Sequence, residues 1–174
     1  LRLKGQGPAV RADVAAMRAR LQAAKPVQGA WDARNGPGRT MDIELAAQTV
    51  ALLAGSPARE VERQIMALAV GEISAAKADA TGKALVLPEK DAQALLAGYR
   101  LQWRLHAAAR LLTENALDLA ALGQGARAFV LRETGFADAK ALSAALDQAV
   151  AAAAEAVDRL LGVTQDGETG DGTG

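Results

Sequence analysis

Two arginines, Arg34 and Arg39, bracket a Gly36-Pro37-Gly38 turn that leads directly into a stretch opening with Asp42 and Glu44. Free backbone amides at a helix start attract phosphate, so this turn with its two arginines is a candidate anion cradle. Against that, the two acids already occupy the positive end of the helix dipole and would repel a phosphate. The competing reading is an internal network at a buried corner, with Arg34 or Arg39 within ion-pair reach of Asp42 or Glu44. A shared metal or acid–base pair fits poorly. Residues two apart on a helix point about 200° from each other, so Asp42 and Glu44 cannot grip one ion together. Glu44 and Gln48 lie four apart on one seam, a spacing that suits hydrogen bonding. Two acids are more charge than one helix start requires, which marks both as candidates for contact with something outside the chain.

Other reactive residue types stand alone. His106 is the only histidine; it shares an apolar face with Leu95, Tyr99 and Trp103 and reads as a core or boundary residue. Tyr99 and Trp103 read as core rather than as a stacking platform. With no cysteine, disulfide frameworks and thiolate metal sites are excluded. Gly123-Gln124-Gly125 lacks the lysine and hydroxyl residue of a phosphate loop and reads as a helix break.

The elements that must position these residues are helical. A first helix is expected from Pro8, with Val10, Val14, Met17 and Leu21 as a narrow apolar stripe and Arg11 and Arg18 beside it; Pro26 ends it. Residues 26–40 form a long loop. The second helix, 41–54, carries two apolar faces: Met41, Leu45 and Leu52 on one, Ile43, Ala47, Val50 and Ala54 on the other. Ser56-Pro57 predicts an N-cap and start for a third helix running to Lys77. Thr81-Gly82-Lys83 breaks the pattern, and Leu85-Val86-Leu87 is a short extended candidate. A long fourth helix follows over 88–114, also apolar on two faces, then a shorter helical region around 115–134 and a final helix over 138–161. Helices 41–54 and 88–114 are expected to be central because each is apolar on two sides.

Composition agrees. The chain is 51% hydrophobic but only 3% aromatic, so alanine and leucine, both strong helix formers, must supply most of the core. The expected fold is all-α: a bundle of about six helices forming a single domain over 1–162, with a glycine- and acid-rich tail at 163–174. Twenty basic residues balance twenty acidic ones, which argues against a nucleic-acid partner. No apolar run reaches the roughly 20 residues a membrane helix needs. The absence of cysteine fits a cytoplasmic setting. The opening Leu1-Arg2-Leu3-Lys4 reads as the start of a piece of something longer.

The run Asp-x-Arg-Asn-Gly-Pro-Gly-x-x-x-Asp-Ile-Glu-Leu-x-x-Gln, from Asp32 to Gln48, resembles the signature that follows a nucleotidyltransferase domain in the glutamine synthetase adenylyltransferase and adenylyl-removing enzyme family. Val14 to Arg18 is similar to that family's first helix, Leu95 to Leu112 to its long helix, and Phe129-Val130-Leu131 to a later segment. The chain departs from the pattern at Arg34, where the family usually has lysine, at Arg39, where it has a second glycine, and at Leu45, where it has phenylalanine. The resemblance implies a helical domain accessory to an upstream nucleotidyltransferase domain. That enzyme transfers AMP from ATP to a tyrosine of glutamine synthetase with Mg2+, its other half removes the AMP, and the PII signalling protein and glutamine set the direction. It also makes Arg34, Gly36, Gly38, Arg39, Asp42, Glu44 and Gln48 candidates for an interface or for residues near the nucleotide. The family's Gly-Ser-Asp-x-Asp motif, whose carboxylates hold magnesium, is absent from this sequence, so no catalytic residue is assigned and ATP and Mg2+ would be bound mainly outside it. The alternative is an independent helical module for protein interaction or small-molecule sensing.

Overall fold

A computed structural model describes residues 7–69 and 87–161. Six helices follow one another: α1 (Gly7–Ala24), α2 (Thr40–Ala54), α3 (Val61–Ala69), α4 (Glu89–Leu112), α5 (Gln124–Thr134) and α6 (Ala139–Leu161). No strand occurs among the described residues, and no helix among them is long and apolar enough to cross a membrane. The expected continuation of the third helix to Lys77, the break at Thr81-Gly82-Lys83, Leu85 and Val86, the opening residues Leu1 to Lys4 and the tail at 163–174 lie outside the described residues.

Helix ends follow local chemistry. Gly55 closes α2 in the left-handed conformation (φ 66°) and Gly135 closes α5 (φ 82°), each returning its N–H to carbonyls of the last turn. The Asp138 side chain accepts the Ala141 N–H at 2.8 Å and so caps α6. The third helix starts at Val61 rather than at Pro57. Ser56 spends its hydroxyl oxygen on the Ala58 N–H two residues on, and Gln64 donates back to the Ala58 carbonyl, so 56–60 forms a hydrogen-bonded bend instead of a first helical turn.

The buried residues form two clusters. One joins Val14, Ile43, Val50, Ile65 and Leu95 with Val157 and Leu160 of the second half of α6. The other joins Ala33, Leu105, Leu119 and Val130 with Leu142 and Leu146 of its first half. Helices α4 and α6 run through both clusters. Small residues let them approach: a side chain added at Gly98 would stand 3.5 Å from the Ala149 methyl. As expected, α2 and α4 are central. α2 packs against α1, α3, α4 and α6, and α4 against α2, α3, α5 and α6. Leu52, Met17 and Trp103 depart from their expected places. They are 61%, 39% and 56% exposed, so at these positions the apolar stripes extend past the reach of the neighbouring helices.

A buried corner and its charged surroundings as the candidate functional site

The loop from Gln28 to Arg39 is organised by one carboxylate. Asp32 accepts the backbone N–H groups of Gln28, Arg34 and Asn35 at 2.8–3.0 Å and the Asn35 side-chain amide at 3.1 Å. Burial opposes its ionisation, but these hydrogen bonds outweigh burial and hold the carboxyl below its usual range. The loop then turns at Gly36 (φ 113°) and Gly38 (φ 68°) and lies on α6. A side chain at Gly38 would collide with the Val150 carbonyl and stand 2.7 Å from the Ala154 nitrogen, so this turn requires glycine for its conformation and for its closeness to α6. From below, Gln102 of α4, fully buried, donates to the Gly38 carbonyl at 2.9 Å.

These contacts exclude the anion cradle. The Gly38 N–H is held by Asp42 at 2.8 Å. The N–H groups of Thr40 and Met41, which a phosphate would need, donate instead to the carbonyls of Ala33 and Arg34. The start of α2 therefore has no free amide cluster to offer.

The internal network exists, but its cation is not the expected one. Arg18 of α1 grips both oxygens of Asp42 and reaches Asp158 of α6 at 2.6 Å. Asp42 is 5% exposed. Burial works against the Arg18 charge, while the two carboxylates more than restore it and raise its pKa. Neither Arg34 nor Arg39 makes an ion pair with Asp42 or Glu44, which corrects the expectation from sequence. Arg34 projects from the surface of the loop. Arg39 is half-buried, and one of its terminal nitrogens is enclosed without a partner. Burial lowers its pKa, with Asp32 and Asp147 partly offsetting this.

Glu44 leaves the corner on another side. Its carboxylate accepts the Tyr99 hydroxyl at 3.1 Å. Burial first, then the Glu44 charge, pushes the Tyr99 phenol up to about 12. Gln48 is exposed and makes no hydrogen bond to Glu44, so the expected seam pair does not form. His106 is half-buried in a groove with Trp31, Arg34 and Arg110. Burial, then the charges of Arg34 and Arg110, lowers its pKa.

The seven candidates thus separate. Gly36, Gly38 and Asp42 build the corner, Arg39 is wedged under it, and Arg34, Glu44 and Gln48 remain accessible in whole or part. Arg18, Gln102 and Tyr99 complete the arrangement; from sequence Arg18 merely flanked the first apolar stripe, Tyr99 read as core, and Gln102 was not singled out. The pattern Asp-x-Arg-Asn-Gly was a signal for the Asp32 turn, since aspartate before glycine often caps its own loop. Among the described residues, no group of three or more histidines and acids is placed to hold a metal ion. Comparison of the chain with protein-family models, with curated proteins and with solved structures gives no match.

Proposed function

We propose that this chain is a helical domain accessory to a nucleotidyltransferase that adenylylates a tyrosine of glutamine synthetase, as the resemblance of Asp32–Gln48 implies. One observation supports this reading above others. The segment that carries the signature is a single hydrogen-bonded unit, Asp32 to Asp42, clamped to α1, α4 and α6. Such a corner fixes the backbone at Arg34, whose N–H is held by Asp32, and leaves its guanidinium exposed while most of the segment is spent on the fold. In this role the domain contributes a preorganised cation to the adjoining catalytic domain and its nucleotide. ATP and Mg2+ belong to that domain, because the Gly-Ser-Asp-x-Asp carboxylates are absent here. Regulation by PII and glutamine belongs to the same proposal.

The test uses labelled ATP, magnesium and glutamine synthetase. This chain alone is expected to transfer no label, and a longer polypeptide that includes the upstream domain is expected to transfer it. In that longer protein, Arg34→Gln should lower transfer by about tenfold or more, since a charged hydrogen bond contributes roughly 1.5–3 kcal/mol, with an unchanged melting temperature. Label transfer by the chain alone, or full activity of Arg34→Gln, would overturn the reading.

A further inference from the structure

A wide cleft opens between the start of α3 and the middle of α4, on the far side of Tyr99 from the corner. Arg59, Val61, Tyr99, Arg100, Trp103 and Arg104 line it. Its lining includes the Trp103 indole, 56% exposed in a chain only 3% aromatic. The acids at its edge are already engaged. Glu62 is gripped by Arg100 through both oxygens, a contact that holds its carboxyl below the usual range, and Glu60 pairs with Arg63 at 3.1 Å. Arg59 and Arg104 have no hydrogen-bond or ion-pair partner among the described residues. The unspent charge of the cleft is therefore positive, and it is carried by two exposed guanidinium groups that line the same cleft as the indole.

We infer that this cleft is a docking surface for an acidic segment of a partner protein, with an apolar or aromatic side chain of that segment seated on Trp103. Tryptophan, tyrosine and arginine are the residue types that concentrate binding energy at protein interfaces. Small-molecule sites enclose most of their ligand, whereas this cleft is open along its length and suits an extended chain. Free arginines select an acidic occupant by charge complementarity and speed its approach. The surface also connects to the corner. Tyr99 lines the cleft and donates to Glu44, so an occupant would be felt at the one acid of the signature that is not locked inside. None of this requires the adenylyltransferase reading.

The probe is a fluorescein-labelled synthetic peptide with one phenylalanine flanked by glutamates, followed by anisotropy against the whole chain. A peptide with lysines in place of the glutamates and ADP form the comparison arms. Saturable binding of the acidic peptide is expected, weakening as salt rises, with little binding of the lysine peptide. Arg59→Gln combined with Arg104→Gln should weaken it by about tenfold, and Trp103→Ala should do the same. Arg132→Gln, at an exposed arginine on α5, should leave it unchanged. Circular dichroism of each variant confirms the helices. Absence of saturable binding, equal binding by the double variant, or binding of ADP in place of the peptide would each overturn the inference. The last outcome would make the cleft a nucleotide site.

Discussion

Asp42 shows how a residue can look functional in sequence and be structural in space. Its charge was surplus to a helix start because its partner, Arg18, lies 24 residues away across the end of α1 and the long loop, and pairings at that range leave no spacing to read. The expectation that Asp42 contacts something outside the chain is therefore replaced, since its oxygens are taken by Arg18 and the Gly38 N–H. Removing one partner of a buried pair costs about 3–5 kcal/mol, and Asp42→Ala also strands the Gly38 N–H, so a loss of at least about 3 kcal/mol in urea unfolding is expected. A loss under about 1 kcal/mol would show that Arg18 and Asp158 suffice without it. Tyr99 gives a second test at this scale, since it is the only tyrosine. Its phenolate absorbance should titrate near 12 in the folded chain and near the ordinary value of about 10 in urea. Because the folded chain holds the proton more tightly, this contribution to stability is complete below about 10 and fades as pH rises toward 12. Glu44→Gln should bring the folded midpoint down; an unmoved midpoint would mean that burial and the Glu62 charge set it without Glu44. Asp32 has the opposite sign. Its lowered folded value adds stability above the normal carboxyl range, and that stability is lost as pH falls through the folded value.

At the scale of elements, periodicity and end signals were enough for most of the fold. Apolar stripes marked α1, α2, α4 and α6, since such periodicity depends on contacts within a few turns of one helix, whereas the closing glycines Gly55 and Gly135 were not read as stops. The start of α3 was misplaced because Ser56-Pro57 is equally good chemistry for a cap and for a bend, and only the reach of Gln64 back to Ala58 decides between them. The loop from Pro26 to Arg39 was legible as special but not in its wiring, which is set by α6 and α4. Two glycine substitutions separate these effects. Gly135→Ala meets no neighbour within 4 Å, so it should cost only the left-handed strain of about 1–2 kcal/mol. Gly38→Ala adds a collision with the backbone of α6, which cannot yield without moving the loop. It should cost at least about 3 kcal/mol, because the bonds from Asp42 and Gln102 are lost with the loop. Equal melting temperatures for the two variants would show that the corner is loosely seated.

At the scale of the whole molecule, the two hydrophobic clusters have no helix boundary between them, since α4 and α6 pass through both. Composition indicated an alanine- and leucine-built core, but a core split in two and bridged by two long helices follows from tertiary packing alone. Unfolding either cluster would leave half of α4 and α6 as unsupported helix, and isolated helices of that length are marginal in water. The molecule should therefore unfold in one transition. Ile65 and Leu142 test this, one in each cluster, 1% and 0% exposed. Each change to alanine should cost about 2–5 kcal/mol. Trp31 packs against the cluster of Leu142, so in a Trp103→Phe background its emission reports on that cluster alone. If the clusters are coupled through α4 and α6, Ile65→Ala will lower the Trp31 midpoint as much as it lowers the helical signal. If instead the Trp31 midpoint stays put while part of the helical signal melts early, the clusters fold separately and the corner between them is a hinge rather than a clamp.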